Sequence, residues 1–214
     1  MLDLFNTYSA DFVSGFKYTI IASVVALIFS LVIGTLMAIF QLSGNKIVSS
    51  LAKAYVAFFR NIPLLIIVMF FYTVAPLYFF PFDGLQSGTI GLTIYTSAFI
   101  AETVRSGIQT VPYGQTEAGL SSGFSYWESM RYIVLPQAFK IVVPPLGNQF
   151  INLIKNSSIL AMVAGLDLMY QGDLIASTTF NTFGTYIIVG CFYLVLTLPL
   201  SYLMNYLDKH WANV

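Results

Sequence analysis

The sequence predicts an all-α membrane protein with five transmembrane helices, an external N-terminus and a cytoplasmic C-terminus. Three observations support this prediction. Of the 214 residues, 57% are hydrophobic and only 8% are charged, against about 25% charged residues in a typical soluble domain. The chain also contains long stretches without any charge, and its basic residues collect on one predicted side of the membrane. We treat residues 1–214 as a single membrane domain.

Four of the spans follow from the distances between charged residues. A transmembrane helix needs about 20 consecutive apolar residues to cross the hydrocarbon core of a bilayer. Charge-free stretches place these spans at roughly 16–40, 62–80, 88–108 and 184–207. The Pro and Gly cluster at 75–91 predicts a short outer turn between the second and third of them.

The remaining span is predicted at 141–164, between the third charge-free span and the last. Most residues of this segment are apolar, but it also contains Asn148, Gln149, Asn152, Lys155 and Asn156. As an α-helix it would extend about 36 Å, which is long enough to cross a bilayer. Residues 165–183 then form a second outer segment that is partly helical.

The distribution of Lys and Arg gives the orientation. Cytoplasmic loops carry an excess of basic residues, and an external N-terminus places seven of the nine on the inner side. The seven are Lys46, Lys53, Arg60, Arg105, Arg131, Lys140 and Lys209. Residues 1–11 show no signal peptide pattern, and we therefore expect the first span to direct insertion.

The largest inner segment, residues 106–140, carries the most informative pattern. Glu117, Ala118, Gly119, Leu120 and Gly123 are followed by Ile133, Leu135 and Pro136. Leu120, Phe124 and Trp127 are spaced to share one face of a helix. One interpretation is an ordinary amphipathic loop helix, and the other is a surface helix that contacts a partner outside this chain.

The spacing resembles the cytoplasmic "EAA" signature of ABC importer permeases, which reads Glu-Ala-Ala, three residues, Gly, nine residues, then Ile-x-Leu-Pro. The chain departs at Gly119, where the family more often has Ala, and Gly costs about 1 kcal/mol of helix propensity. This departure predicts a softer loop helix.

Further motifs are similar to the polar amino acid permeases of this family. They are Gly15, Thr19 and Gly34 in the first span, the segments 59–65 and 101–108, and Lys155 to Ser158. The resemblance covers essentially the whole chain. It implies the type I importer (MetI-like) permease fold.

The resemblance also implies a function and a set of partners. The chain is expected to be the permease of a bacterial importer in the cytoplasmic membrane, and not an enzyme. Its substrate would be a polar amino acid such as glutamine, glutamate, arginine or histidine. Two copies of an ATPase subunit, a second permease subunit and an external solute-binding protein would complete the transporter.

The resemblance assigns the coupling role to residues 106–140. Their coupling helix would contact the ATPase through Glu117, Ala118, Gly119, Leu120, Gly123, Phe124, Ile133, Leu135 and Pro136. No phosphate-binding loop motif occurs in the sequence. ATP and Mg²⁺ are therefore expected on the ATPase subunit, and no cofactor or metal is predicted here.

Polar groups inside the predicted spans mark candidate substrate contacts. Asn148, Asn152 and Lys155 recur on one helical face, and ionisable groups at membrane depth usually serve function. We predict that this face, with Glu102 as a further candidate, lines the substrate path. The alternative is contact with neighbouring helices. Glu102 and Arg105 are spaced to form a structural ion pair along one helix.

Other classes of function fit the sequence less well. Nine basic and nine acidic residues leave no net charge, so the basic surface of a nucleic-acid-binding protein is missing. An ion-coupled secondary transporter or a channel subunit is the alternative function, but five spans do not divide into two inverted repeats. Only the importer explains the signature in residues 106–140.

Overall fold

The computed structural model describes residues 1–78 and 80–211, and in these residues every regular element is helical. The α-helices are α1 (Leu2–Gln41), α2 (Lys46–Asn61), α3 (Leu64–Met69), α4 (Ala75–Tyr78), α5 (Gly84–Thr110), α6 (Tyr113–Ser121), α7 (Tyr126–Ser129), α8 (Leu135–Asn156), α9 (Leu168–Thr179) and α10 (Thr182–Trp211). Two π-helical turns, Phe70–Val74 and Met130–Val134, and a 3₁₀ helix, Ser157–Val163, connect some of them.

Helix α1 begins well before the predicted start at residue 16, and it has non-helical backbone angles at Tyr8. The N-terminal extension packs through Phe12 against α9 and α10, so tertiary contacts stabilise it. Small residues face α5, and a Cβ on Gly34 would lie 2.7 Å from the carbonyl oxygen of Ser97. Such close approach of backbones is typical of helix pairs in membranes.

Helix α5 is the packed centre of the chain, in contact with α1, α2, α3 and α8. Its first turn is fixed by a capping box between Asp83 and Gln86. Its buried residues are mostly small, including Ser97 and Ala101, which lets the surrounding helices approach closely. The hydroxyl groups of Tyr55 and Ser97 hydrogen bond at 2.7 Å and join α2 to α5.

Among the described residues, two helices have the length and apolar composition of a membrane span, Leu2–Gln41 and Thr182–His210. Two bent pairs raise this number to four if each pair forms one span: Lys46–Asn61 with Leu64–Tyr78, and Tyr126–Val163 with Leu168–Thr179. The predicted third span is α5, whose 27 residues would extend about 40 Å. The predicted count of five includes this less apolar central helix.

The predicted span at 141–164 consists of two elements. Helix α8 contains Pro144 and Pro145 and ends at Asn156, where the chain continues as the 3₁₀ helix. Ala164 and Leu166 then adopt left-handed backbone angles and redirect the chain into α9. Residues 165–183, expected to be partly helical, contain α9 as a 12-residue helix.

Candidate functional site

The predicted inner segment is a short folded hairpin rather than an open loop. Helix α5 continues to Thr110 and α8 already begins at Leu135. The bounds 106–140 therefore include one end of each long helix, and the connecting structure is α6, α7 and the second π-helical turn. Buried Val111, Val134 and Ala138 pack together at its base, so the hairpin is anchored to both long helices.

Gly123 makes the turn between α6 and α7. Its φ is 89°, a left-handed conformation that glycine adopts without steric cost. The backbone nitrogen of Phe124 donates to the Gly119 carbonyl at 3.1 Å, and the Gly123 nitrogen donates to the Leu120 carbonyl at 3.1 Å. These two bonds form a Schellman motif, which explains why the signature has glycine at this position.

A capping box holds the start of α7. The backbone nitrogen of Ser125 donates to Glu128 Oε2 at 2.8 Å, and the Glu128 nitrogen donates to Ser125 Oγ at 3.3 Å. Hydrogen bonds from the backbone and the hydroxyl of Ser125 lower the pKa of the Glu128 carboxyl, because they stabilise its charged form. Glu128 thus has a local structural role in the hairpin.

Gly119, where the sequence departs from the signature, is a packing position. A Cβ on Gly119 would lie 2.6 Å from Ser129 Oγ and 2.8 Å from Ile133 Cδ1. Ser129 is fully buried. Glycine therefore lets α6 pack directly on the segment that begins with α7.

The prediction that Leu120, Phe124 and Trp127 share one face of a single helix is wrong. Helix α6 ends at Ser121 and α7 begins at Tyr126, with the Gly123 turn between them. All three side chains are nevertheless exposed. Glu117, Ala118, Leu135 and Pro136 are exposed as well, whereas Gly119 is buried and Ile133 is partly buried.

The hairpin forms an apolar surface that is larger than the predicted set. Exposed aromatic residues join Leu120, Phe124 and Trp127 and were missed as candidates: Tyr113, Tyr126 and Tyr132. We call these six residues the hairpin surface. The three tyrosines could have been identified from the sequence by the high density of aromatic residues in a segment that is predicted to lie outside the membrane.

The predicted polar face of α8 is present and exposed. Asn148, Asn152 and Lys155 are all exposed, and they continue a line that starts at Ile141 and Pro145. Lys155 also lines a cavity of about 330 Å³ with Ser158, Tyr186 and Tyr193 among its other walls. The described part of this chain therefore leaves the polar face of α8 uncovered.

Glu102 of α5 forms the predicted ion pair with Arg105. Arg105 Nε donates to Glu102 Oε2 at 3.0 Å, and Nη2 donates to Oε1. Arg60 Nη1 of α2 is 3.9 Å from Glu102 Oε2. Arg60 and Glu102 line a second cavity of about 300 Å³, with Ile141 and Pro145 of α8 among its other walls.

Two of the first-span residues singled out by the sequence, Gly15 and Thr19, meet the start of α9. Asp167 is fully buried, and its carboxyl accepts from the backbone nitrogen of Met169 at 3.0 Å and of Tyr170 at 3.4 Å. Thr19 Oγ1 accepts from the Leu168 nitrogen at 3.0 Å. A Cβ on Gly15 would lie 2.8 Å from Leu168 Cα, so these residues support close packing of α1 and α9.

Curated relatives match nearly the whole chain. It is 56% identical to the probable glutamine ABC transporter permease protein GlnM of Bacillus subtilis over 96% of this chain and 95% of the relative. It is 34% identical to the glutamine transport system permease protein GlnP of Escherichia coli, over 92% of this chain and 91% of that protein.

Solved structures match equally widely. The crystal structure of an amino acid ABC transporter with histidines has a TM-score of 0.89 at 33% identity, covering 95% of each chain. An inward-facing structure of the MetNI methionine ABC transporter has a TM-score of 0.78 at 21% identity, over 93% of this chain and 95% of that one. The fold is therefore the MetI-like permease fold that was predicted.

A sequence profile matches residues 30–213 and is described as the binding-protein-dependent transport system inner membrane component. This match includes α2 to α10, the hairpin and the polar face of α8. Together with the fold and the two permease relatives, it shows that the chain belongs to the binding-protein-dependent transport system inner membrane component family.

Proposed function

We propose that this chain is the permease of an ABC importer that takes up glutamine or a closely related polar amino acid by alternating access. As a member of its family, the chain is a membrane component of a transporter and not an enzyme. The choice of glutamine is supported by the name of a relative with 56% identity over 95% of its length.

The hairpin surface is the observation that carries the proposal of ATPase coupling. Its six apolar and aromatic side chains are exposed, while the Schellman motif and the capping box fix the hairpin turn with backbone hydrogen bonds. Exposed apolar clusters on a membrane protein's soluble face are typical of protein interaction sites. We infer that the ATPase subunit covers this surface, and that ATP and Mg²⁺ bind to that subunit.

The polar face of α8 supports pairing with a second permease subunit. A lysine at the centre of a bilayer costs about 2.5 to 3.5 kcal/mol on insertion scales, so Asn148, Asn152 and Lys155 are not expected to face lipid. A second copy of this chain, or a related chain, would cover them and enclose a polar path. One ATPase for each permease then gives two copies.

An external solute-binding protein would deliver the amino acid to this path. The family description names dependence on a binding protein, and the proposed site is the bacterial cytoplasmic membrane. In this arrangement the binding protein selects the substrate, and the polar face contacts it during passage.

Reconstitution with the cognate ATPase and binding protein tests the coupling role. Trp127→Ala removes the largest side chain of the hairpin surface, and Phe183→Ala is the matched control. The two aromatic side chains are similarly exposed, at 77% and 79%, but Phe183 lies on the predicted outer side. We expect Trp127→Ala to lower ATP-driven glutamine uptake and ATPase binding at least tenfold, and Phe183→Ala to leave both unchanged. Equal uptake by the two variants would argue against the coupling role.

Two further measurements test the substrate and its path. Excess unlabelled glutamine should abolish uptake of labelled glutamine, while unlabelled lysine should not.

Asn152→Leu should impair uptake while the transporter still assembles, because it removes an amide from the polar face. Normal uptake kinetics in Asn152→Leu would remove this face from the path.

A further inference from the structure

Helix α2 presents three separate faces. Ser49, Ala52 and Val56 are buried against the rest of the protein. Lys46, Lys53 and Arg60 are exposed, and their seven-residue spacing places them within about 40° of one another around the helix axis. A third face, turned about 130° from the basic one around the helix axis, carries apolar residues.

The apolar face of α2 is strongly exposed. Ile47 is 73% exposed, Leu51 is 67% exposed and Phe58 is 58% exposed. Because these three side chains lie on the same side of the helix and Ala54 lies between them, they form a continuous strip along α2. A helix with adjacent basic and apolar strips has the pattern of a helix that lies in a membrane interface.

Helix α2 is steeply bent from the segment that follows it, and hydrogen bonds to other helices hold it in place. The helix is turned by 105° from the segment Leu64–Tyr78, which is part of a predicted span. Asn45 caps its first turn, Ser49 Oγ donates to the Gln41 carbonyl at 2.8 Å, and Tyr55 bonds to Ser97 of α5. If Leu64–Tyr78 crosses the bilayer, α2 lies close to the membrane plane.

Two of the three residues of the basic face carry positive charge that no carboxylate among the described residues neutralises. Arg60 approaches Glu102 and its guanidinium lies 5.4 Å from the ring centre of Phe99. In the described part of the chain, Lys46 and Lys53 form no ion pair with any carboxylate. The two lysines are about 10 Å apart along the helix and remain free to bind an anion.

We propose that α2 is an interfacial helix that binds the headgroups of anionic phospholipids in the inner leaflet through Lys46 and Lys53. Its apolar strip would lie among the acyl chains while the lysine side chains extend to the phosphates. The apolar strip favours lipid over the ATPase subunit as the occupant, because the strip and the lysines are neighbours and a membrane surface satisfies both.

The test uses the full-length chain in vesicles and a fluorescent reporter on the apolar strip. Phe58→Trp supplies the reporter, in a background with Trp127→Phe and Trp211→Phe. Quenching is measured with brominated phosphatidylglycerol and, separately, with brominated phosphatidylcholine at the same mole fraction. We expect phosphatidylglycerol to be preferred about fivefold or more at low salt, and the preference to fall in 0.5 M NaCl.

Charge variants separate lipid binding from a change in folding. The double substitution Lys46→Gln with Lys53→Gln should remove the preference, and Lys46→Arg with Lys53→Arg should retain it. Lys17→Gln is the matched control, since Lys17 is an exposed lysine on the predicted outer side. It should leave the preference unchanged.

Three results would overturn the proposal. The first is equal quenching of the reporter by the two lipids when Lys46 and Lys53 are both present, and the second is no quenching by either lipid. The third is loss of the phosphatidylglycerol preference when the ATPase subunit is added, which would show that the ATPase occupies the basic face.

Discussion

Replacement of Gly119 by valine tests whether α6 is held by direct packing on the segment after α7. A Cβ at this position would lie 2.6 Å from Ser129 Oγ and 3.1 Å from Ser129 Cβ, and valine adds two further methyl groups. Overpacking of this kind costs about 1 to 3 kcal/mol. A cost of about 2 kcal/mol lowers the ratio of docked to undocked hairpin about 30-fold.

Gly114 provides the matched control in the same helix. A Cβ on Gly114 would have no atom within 4 Å, and valine has a slightly better helix propensity than glycine. Gly114→Val should therefore leave the hairpin docked. The comparison separates loss of packing from the general effect of valine in α6.

Limited trypsin digestion of the detergent-solubilised chain reports the undocked population. Arg131 lies in the π-helical turn that packs on α6, so cleavage after Arg131 requires local opening of the hairpin. We expect Gly119→Val to be cut about 30-fold faster at this bond than Gly114→Val. Equal cleavage rates for the two variants would refute the packing argument. The coupling ratio of uptake to ATP hydrolysis should fall in the same variant.

Three other perturbations test single contacts. Gly34→Leu should lower the melting temperature in detergent, with a cost of about 1 to 3 kcal/mol, because a Cβ at this position would lie 2.7 Å from the Ser97 carbonyl oxygen. The control is Gly44→Leu, which should leave the melting temperature unchanged because a Cβ on Gly44 would have no atom within 4 Å. Asn45→Ala should destabilise α2 by about 1 kcal/mol, measured as faster amide exchange at Ile47 and Val48, and Asn45→Asp should retain the cap. The lowered pKa of Glu128 means that its stabilising effect is complete above the usual carboxyl pKa of 4.5 and is lost as the pH falls through the lowered value. Amide protection at Glu128 should follow this course, and Ser125→Ala should reduce the protection, because it removes the hydroxyl acceptor of the Glu128 nitrogen but retains the backbone donor to the Glu128 carboxylate.

The sequence predicted the long helices and the polar face of α8 because both depend on regular spacing. Charge-free stretches locate spans without knowledge of their neighbours, and Asn148, Asn152 and Lys155 recur at helical intervals. The ion pair of Glu102 with Arg105 was predictable for the same reason, since its partners are three residues apart on one helix.

The features that sequence reasoning missed depend on contacts between distant residues. Helix α2 was not predicted because its charges interrupt the apolar pattern, although Asn45 is a recognisable N-cap. The early start of α1 depends on packing of Phe12 with Leu168 and Ile188. The error over Leu120, Phe124 and Trp127 arose because helical spacing was continued across Gly123, whose left-handed turn ends α6.

Helices α5 and α8 are connected to the hairpin in a way that would move them together. Val111 of the α5 end packs with Val134 and Ala138, and Gln137 Nε2 of α8 donates to Gln115 Oε1 of α6 at 3.2 Å. We expect these contacts to transmit a displacement of the hairpin to the inner ends of both long helices. Because the polar face belongs to α8, movement of this helix would reorient Asn152 and Lys155 directly. Under the proposed function, an ATPase bound to the hairpin would in this way change access to the proposed path without any contact between nucleotide and substrate.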